Sequence, residues 1–355
     1  MIKKIIVVLL FLNNAGAFTQ GLKDRADSVL LRFPGSGTPA IVALVKVKNE
    51  VKYLGAAGYA NIDKKLKADG STLFYLPGLS SQYTAMAVMK LMEQGRLKYS
   101  EIIRDIISEL PEYCNTITIK NLLQNSSGLP FIVISDSLNI GRPVTNAQVV
   151  ALLNKYKQLE FSPGKKIQIN PLNDILLSLI IERKLLKPYA VCIKSEVCDP
   201  LGIKAQIYPG KVKAKKTAVG YLPDNNVFKP DITWKLNGIT GYYGVFSSIT
   251  GHAALVDAFY TETLLKRSTI DEAMKLNFLP GYFKYCSFGW HNAFNNGKRY
   301  DYQMGNGMGF THIVLRIPDE EITVIIFTNS AGVFDLRKDA FRLLNLYSSY
   351  KYKPE

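Results

Sequence analysis

The chain has 355 residues, a formal net charge of +15 and 47% hydrophobic residues. That length is enough to bury a large core, arranged as two lobes of one folding unit. The positive charge is not accompanied by any nucleic-acid-binding motif, so we expect no nucleic-acid partner. The basic run at residues 211–216 suits anionic envelope polymers or a membrane surface, although a solvated loop is the favoured interpretation.

The first residues have the pattern of a secretory signal peptide. Lys3 and Lys4 form a basic start, residues 5–12 form an apolar run, and Ala-Gly-Ala at 15–17 forms a cleavage site of small residues. This apolar run is far shorter than the about 20 residues that span a bilayer. The sequence therefore predicts a signal peptide at 1–17 and an exported protein, periplasmic or extracellular. An uncleaved interfacial anchor is the alternative.

The cysteines and histidines show no metal-binding pattern. Cys192 and Cys198 lie on a predicted helix with a rise of about 9 Å between them, which is too long for a disulfide there. Cys114 and Cys286 complete the set, and we expect all four to be buried, unpaired thiols. The spacing of the cysteines and histidines is unlike that of a zinc site, so no metal or cofactor is predicted.

Strand patterns occur at both ends of the chain and helical patterns in the middle. Residues 39–47 and 51–60 predict a β-hairpin, and residues 82–93 predict a helix with Tyr83 and Met86 on its apolar face. Strands at both ends imply one sheet closed by distant parts of the chain, with a helical lobe inserted. Further helices are predicted at 100–109, 119–125, 146–156, 173–184, 190–198, 250–265 and 332–350, and further strands at 288–292, 311–317 and 322–328.

One helix entry carries a family resemblance. Residues 74–91 read Phe-Tyr-Leu-Pro-Gly-Leu-Ser-Ser-Gln-Tyr-Thr-Ala-Met-Ala-Val-Met-Lys-Leu. This stretch resembles the active-site segment of the penicillin-recognising serine hydrolases, which include class C-type β-lactamases, DD-peptidases and related esterases. The hallmark of that family is Ser-x-x-Lys at the start of this helix, followed by Gln-Phe-Thr-Ala or a close variant.

Seven further segments resemble the same family in the same order. The resemblance spans about residues 20–350 and implies an α+β fold of the β-lactamase/DD-peptidase type, with a mixed antiparallel sheet, flanking helices and an inserted helical lobe. It places a family domain at 18–355, with the sheet lobe at about 18–75 and 235–355 and the helical lobe at about 76–234. The segments are 117–130 (ITIKNLLQNSSGLP), 163–168 (PGKKIQ), 175–182 (ILLSLIIE), 199–203 (DPLGI), 244–248 (GVFSS), 287–290 (SFGW) and 322–329 (ITVIIFTN).

The catalytic residues of the family are missing at the matching positions. The nucleophilic serine falls at Gly78 and the catalytic lysine at Ser81. The tyrosine and asparagine of the family's second motif fall at Ile169 and Pro171. Its third motif, a cation followed by a hydroxyl residue and glycine, falls at residues 303–305, where the sequence is Gln-Met-Gly and only the glycine is retained.

Acyl transfer in this family needs an attacking hydroxyl, a proton acceptor and backbone N–H groups that stabilise the oxyanion. Glycine supplies no hydroxyl, and isoleucine supplies nothing that titrates. Losing one such group typically costs a factor of about 10³ or more in rate. The sequence therefore predicts a non-catalytic member that binds a peptide, a peptidoglycan fragment or a protein. The predicted cleft is bordered by Ser80, Ser81, Ile169, Gln303, Gly305 and Asn306.

Two other interpretations stay open at the level of sequence. One is an active hydrolase whose nucleophile has moved to Ser80 or Ser81, although hydroxyls at a helix start more often cap the helix. The other is a folded relic that binds nothing. Ser126 and Ser127 match a structural turn of the family, and structural roles are also favoured for the histidines at 252, 291 and 312.

Overall fold

The structure is a computed structural model. It describes residues 21–30, 37–132, 144–208, 212, 215–225, 227–231, 233, 238–332 and 335–353. The expected signal peptide at 1–17 lies outside these residues, as do Lys211 and Lys213 of the basic run. Within the described part of the chain, no helix is both long enough and apolar enough to cross a membrane.

Fourteen strands are described, seven of which form the main sheet. The sheet is antiparallel in the order β10-β11-β12-β13-β14-β1-β2. The strands are β1 (Ile41–Val47), β2 (Glu50–Ala57), β3 (Tyr59–Asn61), β4 (Leu66–Lys67), β5 (Phe74–Tyr75), β6 (Gln206–Ile207), β7 (Gly220–Asp224), β8 (Val227–Asp231), β9 (Val245–Ser247), β10 (Cys286–Ser287), β11 (Trp290–Asn295), β12 (Lys298–Gly307), β13 (Phe310–Ile317) and β14 (Ile322–Thr328).

Helices surround the sheet on both faces. Short 3₁₀ turns at Glu112–Cys114 and Pro318–Glu320 and a π-helical turn at Lys194–Cys198 connect some of them. The helices are α1 (21–30), α2 (Ser80–Glu93), α3 (Ile103–Ile106), α4 (Ile119–Leu123), α5 (Asn146–Leu153), α6 (Pro171–Leu185), α7 (Tyr189–Ile193), α8 (Ile249–Asp257), α9 (Arg267–Met274) and α10 (Leu336–Tyr347).

The two ends of the chain meet in the middle of the sheet, as predicted. Ile41 of β1 lies opposite Thr328 of β14, and the pairing continues to Val47 opposite Ile322. Every residue of β13 and β14 is buried, which fits their largely apolar sequences, because a central strand covered on both faces has no side exposed to solvent. The α+β fold class inferred from the resemblance is confirmed.

Each face of the sheet has its own core. On one face, α1 and α10 pack over alternate residues such as Ile313 and Ile326. On the other, Val314 and Phe327 join the larger core, which includes α2 and most of the remaining helices. Helices α2 to α7 all fall within the stretch predicted as the helical lobe, although strand β6 and the β7–β8 hairpin also lie in it.

Several predicted elements differ from the observed ones. The helix predicted at 250–265 ends at Asp257, and only Ile103–Ile106 is α-helical within the predicted 100–109. Strand β12 and helix α9 were not predicted. β12 was missed because its sequence, KRYDYQMGNG, is mostly polar, and only the two tyrosines indicate that one face is buried. Its pairing with β11 and β13, together with the contact of Tyr300 with Phe341 of α10, holds this strand in the sheet.

Candidate functional site

The turn that leads into α2 is built around a glycine with a left-handed backbone. Gly78 has φ of +76°, a conformation that favours glycine over every residue with a Cβ. Its N–H donates to the backbone carbonyl of Tyr242 at 2.9 Å. A Cβ placed on Gly78 would lie 2.9 Å from both the Cα of Gly305 and the carbonyl oxygen of Met304. A serine therefore has no room at the position where the family carries its nucleophile.

The end of β12 closes directly over this turn. Pairing between β11 and β12 stops at Tyr302, so the following residues of β12 extend past β11. A Cβ placed on Gly305 would lie only 1.9 Å from the carbonyl oxygen of Pro77. The glycine retained from the third motif thus lets one backbone approach another. No gap is left between the turn and the strand for an acyl group.

The hydroxyls of Ser80 and Ser81 are buried and hydrogen-bonded to backbone. Ser80 Oγ donates to the carbonyl of Leu76 at 2.7 Å and accepts from the N–H of Val245 at 3.2 Å. Ser81 Oγ donates to the carbonyl of Gly78 at 2.6 Å and accepts from Gln303 Nε2 at 3.0 Å. None of these partners is a base, so the bonds fix the turn and supply no proton acceptor.

The second motif has become a helix start. Asn170 is the N-cap of α6, and its side-chain oxygen accepts from the N–H of Leu172 at 3.1 Å. Pro171 is the first residue of the helix, where the N–H that proline lacks would have no helical partner. Ile169 precedes the cap and lines a small cavity. At the positions aligned with the family's tyrosine and asparagine, Ile169 therefore lines the cavity and Pro171 begins helix α6.

A small cavity remains where α2, α6 and β12 meet. Its volume is about 20 Å³, counted as space open to the centre of a water molecule. Three of the predicted cleft residues, Ser81, Ile169 and Gln303, line it. Its remaining lining residues are Ala85, Leu123, Asn125, Asp174, Tyr242, Cys286, Gly289, Trp290 and His291.

The other predicted cleft residues lie elsewhere. Ser80 is completely buried beneath the turn. Gly305 contacts Pro77, and Asn306 is exposed and does not line the cavity. Only three of the six predicted cleft residues therefore line the cavity. Side chains on a strand alternate between its two faces, so Asn306 lies on the other face from Gln303, whereas Ser80 and Gly305 are packed at the turn.

Asp174 is a cavity residue that the sequence did not single out. It lies in the first turn of α6 and is only partly covered. Desolvation nevertheless raises the pKa of its carboxyl group to about 7. An acidic residue in the first turn of a helix is ordinarily explained by the helix dipole, so nothing in the sequence indicated that Asp174 lines a cavity.

A hydrogen-bonded chain holds the neighbouring turn against α6. Ser127 Oγ donates to Asn173 Oδ1 at 2.6 Å, and Asn173 Nδ2 donates to Asn125 Oδ1 at 2.8 Å. Ser126 and Ser127 are both buried. Their arrangement fits a structural turn and offers no activated hydroxyl.

The three histidines lie in apolar surroundings. His252 approaches the hydroxyl of Tyr83 at 3.3 Å, and His312 Nε2 donates to the carbonyl of Tyr75 at 2.7 Å. His291 stacks on the ring of Phe283. Desolvation lowers the pKa of His252 and His312 to about 3 and that of His291 to about 4. None hydrogen-bonds to Ser80 or Ser81.

The four cysteines are buried and unpaired, and burial raises the pKa of each thiol. Among the residues that the structure describes, no three potential metal ligands lie close enough together to hold an ion.

Sequence comparison connects the chain to proteins of one family. The Beta-lactamase family profile matches residues 19–347. Protein flp of Staphylococcus aureus is 27% identical over 210 residues, which cover 57% of this chain and 42% of that protein. Penicillin-binding protein 4* of Bacillus subtilis is 26% identical over 304 residues, covering 79% of this chain and 66% of that protein. The matches thus span less than two thirds of the length of either curated relative.

Solved structures show the same fold. The octameric penicillin-binding protein homologue from Pyrococcus abyssi superposes with a TM-score of 0.78 at 22% identity, covering 94% of this chain and 77% of that chain. The D-amino acid amidase from Ochrobactrum anthropi SV3 superposes with a TM-score of 0.79 at 18% identity, covering 93% and 98%. With the family match extending over nearly the whole sequence, the chain belongs to the beta-lactamase family.

Proposed function

We propose that this chain is an exported, non-catalytic member of the beta-lactamase family that binds a peptide or a cell-wall-derived fragment at its remnant cleft. The single observation that carries the proposal is the crowding at Gly78. A side chain there would overlap the backbone of β12, and the φ of +76° disfavours any residue with a Cβ. An acyl-enzyme therefore has neither an attacking atom nor space at the family position.

The backbone N–H group at Gly78, which would be needed to stabilise an oxyanion, already has a hydrogen-bond partner. Catalysis of acyl transfer needs backbone N–H groups that are free to receive the developing negative charge. The N–H of Gly78 already donates to the carbonyl of Tyr242. This bond supports an inert site even for a substrate that could reach the turn, because the donor would first have to leave its partner.

Binding is supported by the polar groups that remain at the cavity. Gln303 is 7% exposed, and its Oε1 has no hydrogen-bond partner. The carboxyl group of Asp174 lies on the same cavity, partly open to solvent. Buried polar atoms are usually hydrogen-bonded in folded proteins, so an unpaired acceptor beside a partly open cavity is a feature expected of a ligand site.

Export and a cell-wall ligand are supported by two further observations. The signal-peptide pattern at residues 1–17 would place the protein outside the cytoplasm. Curated and structural relatives include proteins named penicillin-binding protein, and another structural relative is an amidase of D-amino acids. Fragments of peptidoglycan and their stem peptides are therefore the first ligands to test.

The test is isothermal titration calorimetry with purified muropeptides and stem peptides. Ile169→Trp narrows the cavity, whereas Leu186→Trp adds the same side chain at a position that is 89% exposed. We expect wild type and Leu186→Trp to bind at least one fragment, and Ile169→Trp to bind it at least about tenfold more weakly. Absence of binding to every fragment, or equal binding by all three proteins, would contradict the proposal.

The alternative is a hydrolase whose nucleophile has moved to Ser80 or Ser81. Both hydroxyls donate to backbone carbonyls and are covered by protein, which argues against it. Hydrolysis of activated esters such as p-nitrophenyl butyrate decides between the two. Turnover by wild type that disappears in Ser80→Ala or Ser81→Ala would establish the alternative, whereas our proposal predicts no turnover above background by any of the three.

A further inference from the structure

The orientation of the Gln303 side-chain amide is fixed by its neighbours. The carbonyl oxygen of Gly78 can only accept, so the Ser81 hydroxyl at 2.6 Å must donate to it. With its proton used, Ser81 Oγ accepts from Gln303, and the amide must present Nε2 to it. Gln303 Oε1 is consequently the atom left without a partner, within a side chain that is more than nine-tenths buried.

Asp174 provides a second acceptor at the same cavity. No hydrogen bond or ion pair to its carboxyl group is found among the residues that the structure describes. Among the described residues, Tyr189, Tyr242 and Cys286 interact with its charge, and His291 lines the same cavity. All four are neutral near pH 7, because burial raises the pKa of the first three and lowers that of His291 to about 4. The carboxylate thus lacks a positive partner in a site where its charge is poorly solvated.

Two unpaired acceptors in a small cavity call for a compact group with several donors. A primary ammonium has three N–H donors, a positive charge and nearly the size of a water molecule, which is what about 20 Å³ accommodates.

We propose that the cavity between Asp174 and Gln303 binds the primary ammonium end of a ligand, either a lysine-type side chain or the free amino terminus of a peptide. This inference deepens the proposed function and depends on it. The carboxylate pairs with the positive charge, and Gln303 Oε1 accepts a second N–H. Stem peptides whose amino groups are acetylated would lose the charge and two of the three N–H donors, and the added acetyl group would not fit the small cavity.

The first test uses n-pentylamine as the probe and N-acetylpentylamine as its neutral counterpart, with binding followed by ligand-observed NMR. Asp174→Asn preserves the shape and removes the charge, whereas Asp271→Asn removes a carboxylate that is 67% exposed on α9. We expect pentylammonium to bind wild type and Asp271→Asn, and to bind Asp174→Asn at least about tenfold more weakly. Equal binding by Asp174→Asn, or by the acetylated amine, would overturn the inference.

Dependence on pH provides a second readout. The pKa of Asp174 is raised to about 7, so the carboxylate that pairs with the amine forms as pH rises through neutrality. Tyr189, Tyr242 and Cys286 stay neutral in this range, because burial raises the pKa of each. Affinity for pentylammonium should increase about tenfold between pH 6 and pH 8 in wild type and stay constant in Asp174→Asn. A flat profile in wild type would contradict the assignment.

Stem peptides then separate this inference from the proposed function. Selective acetylation of the α-amino group or of the side-chain amine identifies which ammonium enters the cavity, and acetylation of both should abolish binding. If doubly acetylated peptides bind as tightly as unmodified ones, the ammonium site is wrong and the proposed function stands. If no peptide and no muropeptide binds in either form, the proposed function fails as well.

Discussion

Gly78 lies where the turn into α2 meets the end of β12, and two separate properties make glycine necessary there. The positive φ is costly for any residue with a Cβ, and the backbone of β12 occupies the space that a Cβ would need. The sequence predicts the loss of the nucleophile at this position, because the motif around it resembles that of the family. It did not reveal the closure, since the contact joins residues more than 200 positions apart.

At Gly78, the energetic cost of a positive φ can be separated from the cost of overlap with the backbone of β12 by comparison with a second glycine of similar φ. Gly95 has a similar φ of +68° but no atom within 4 Å of a Cβ placed on it. We expect Gly78→Ala to lower the free energy of unfolding by about 1–3 kcal/mol more than Gly95→Ala, because only the first overlaps backbone atoms. Urea denaturation of both variants measures the difference, and equal losses would show that the turn and β12 are not in close contact.

Asp174 shows what sequence reasoning misses at the level of a residue. A helix start with an acidic residue in its first turn is ordinary, and only the folded structure shows that Asp174 lines the same cavity as Gln303, whose side-chain oxygen is unpaired. By contrast, Ile169 and Gln303 were identified from the aligned motifs, since these positions border the catalytic cleft in the family. Their cavity position follows from the shared fold.

At the scale of elements, the strands with unambiguous patterns were predicted well. Ile322–Thr328 was predicted with the observed bounds, and the first hairpin differs only at its ends. Strand β12 was missed because its buried tyrosines alternate with polar residues. Its outer part pairs with β13 along one edge, but its other edge extends past β11 and lies against a turn. Its position depends on contacts that are distant in sequence, which local patterns do not encode.

The contact between β12 and the turn predicts the effect of a small substitution. Gly305 has no left-handed φ, so a Cβ there is excluded by contacts alone, chiefly with the carbonyl of Pro77 and also with Leu79 Cδ1 at 3.0 Å. We expect Gly305→Ala to lower the free energy of unfolding by about 1–3 kcal/mol, and the exposed neighbour Asn306→Ala to change it by no more than about 0.5 kcal/mol. Thermal or urea denaturation measures both, and an unchanged stability for Gly305→Ala would contradict the closed geometry.

At the scale of the whole molecule, three buried histidines make stability depend on pH. Their folded-state pKa values of about 3 to 4 lie below the value of 6.5 expected for an unfolded chain. The unfolded state therefore binds more protons below about pH 6.5, and the stabilising contribution is lost as pH falls. Asp174 acts in the opposite sense, because its raised pKa makes the folded state bind the extra proton between about pH 4 and 7.

The net difference of these four groups is about two protons taken up on unfolding between pH 4 and 6. Since each proton contributes about 1.4 kcal/mol per pH unit, these four groups alone should lower the free energy of unfolding by about 2–3 kcal/mol per unit as pH falls through this range. His312→Asn should reduce the slope by about one proton. Urea midpoints measured at closely spaced pH values give these slopes, and a slope that His312→Asn leaves unchanged would show that this ring is not neutral in the fold.

The most direct test of the account is intact-mass spectrometry of the full chain after prolonged incubation with benzylpenicillin and with a fluorophosphonate, alongside an active serine β-lactamase. The closed turn at Gly78 and the hydrogen-bonded hydroxyls of Ser80 and Ser81 predict an unmodified mass with both reagents, while the active enzyme gains the fluorophosphonate adduct. A stoichiometric adduct that maps to any side chain around this turn or the neighbouring cavity would contradict the account.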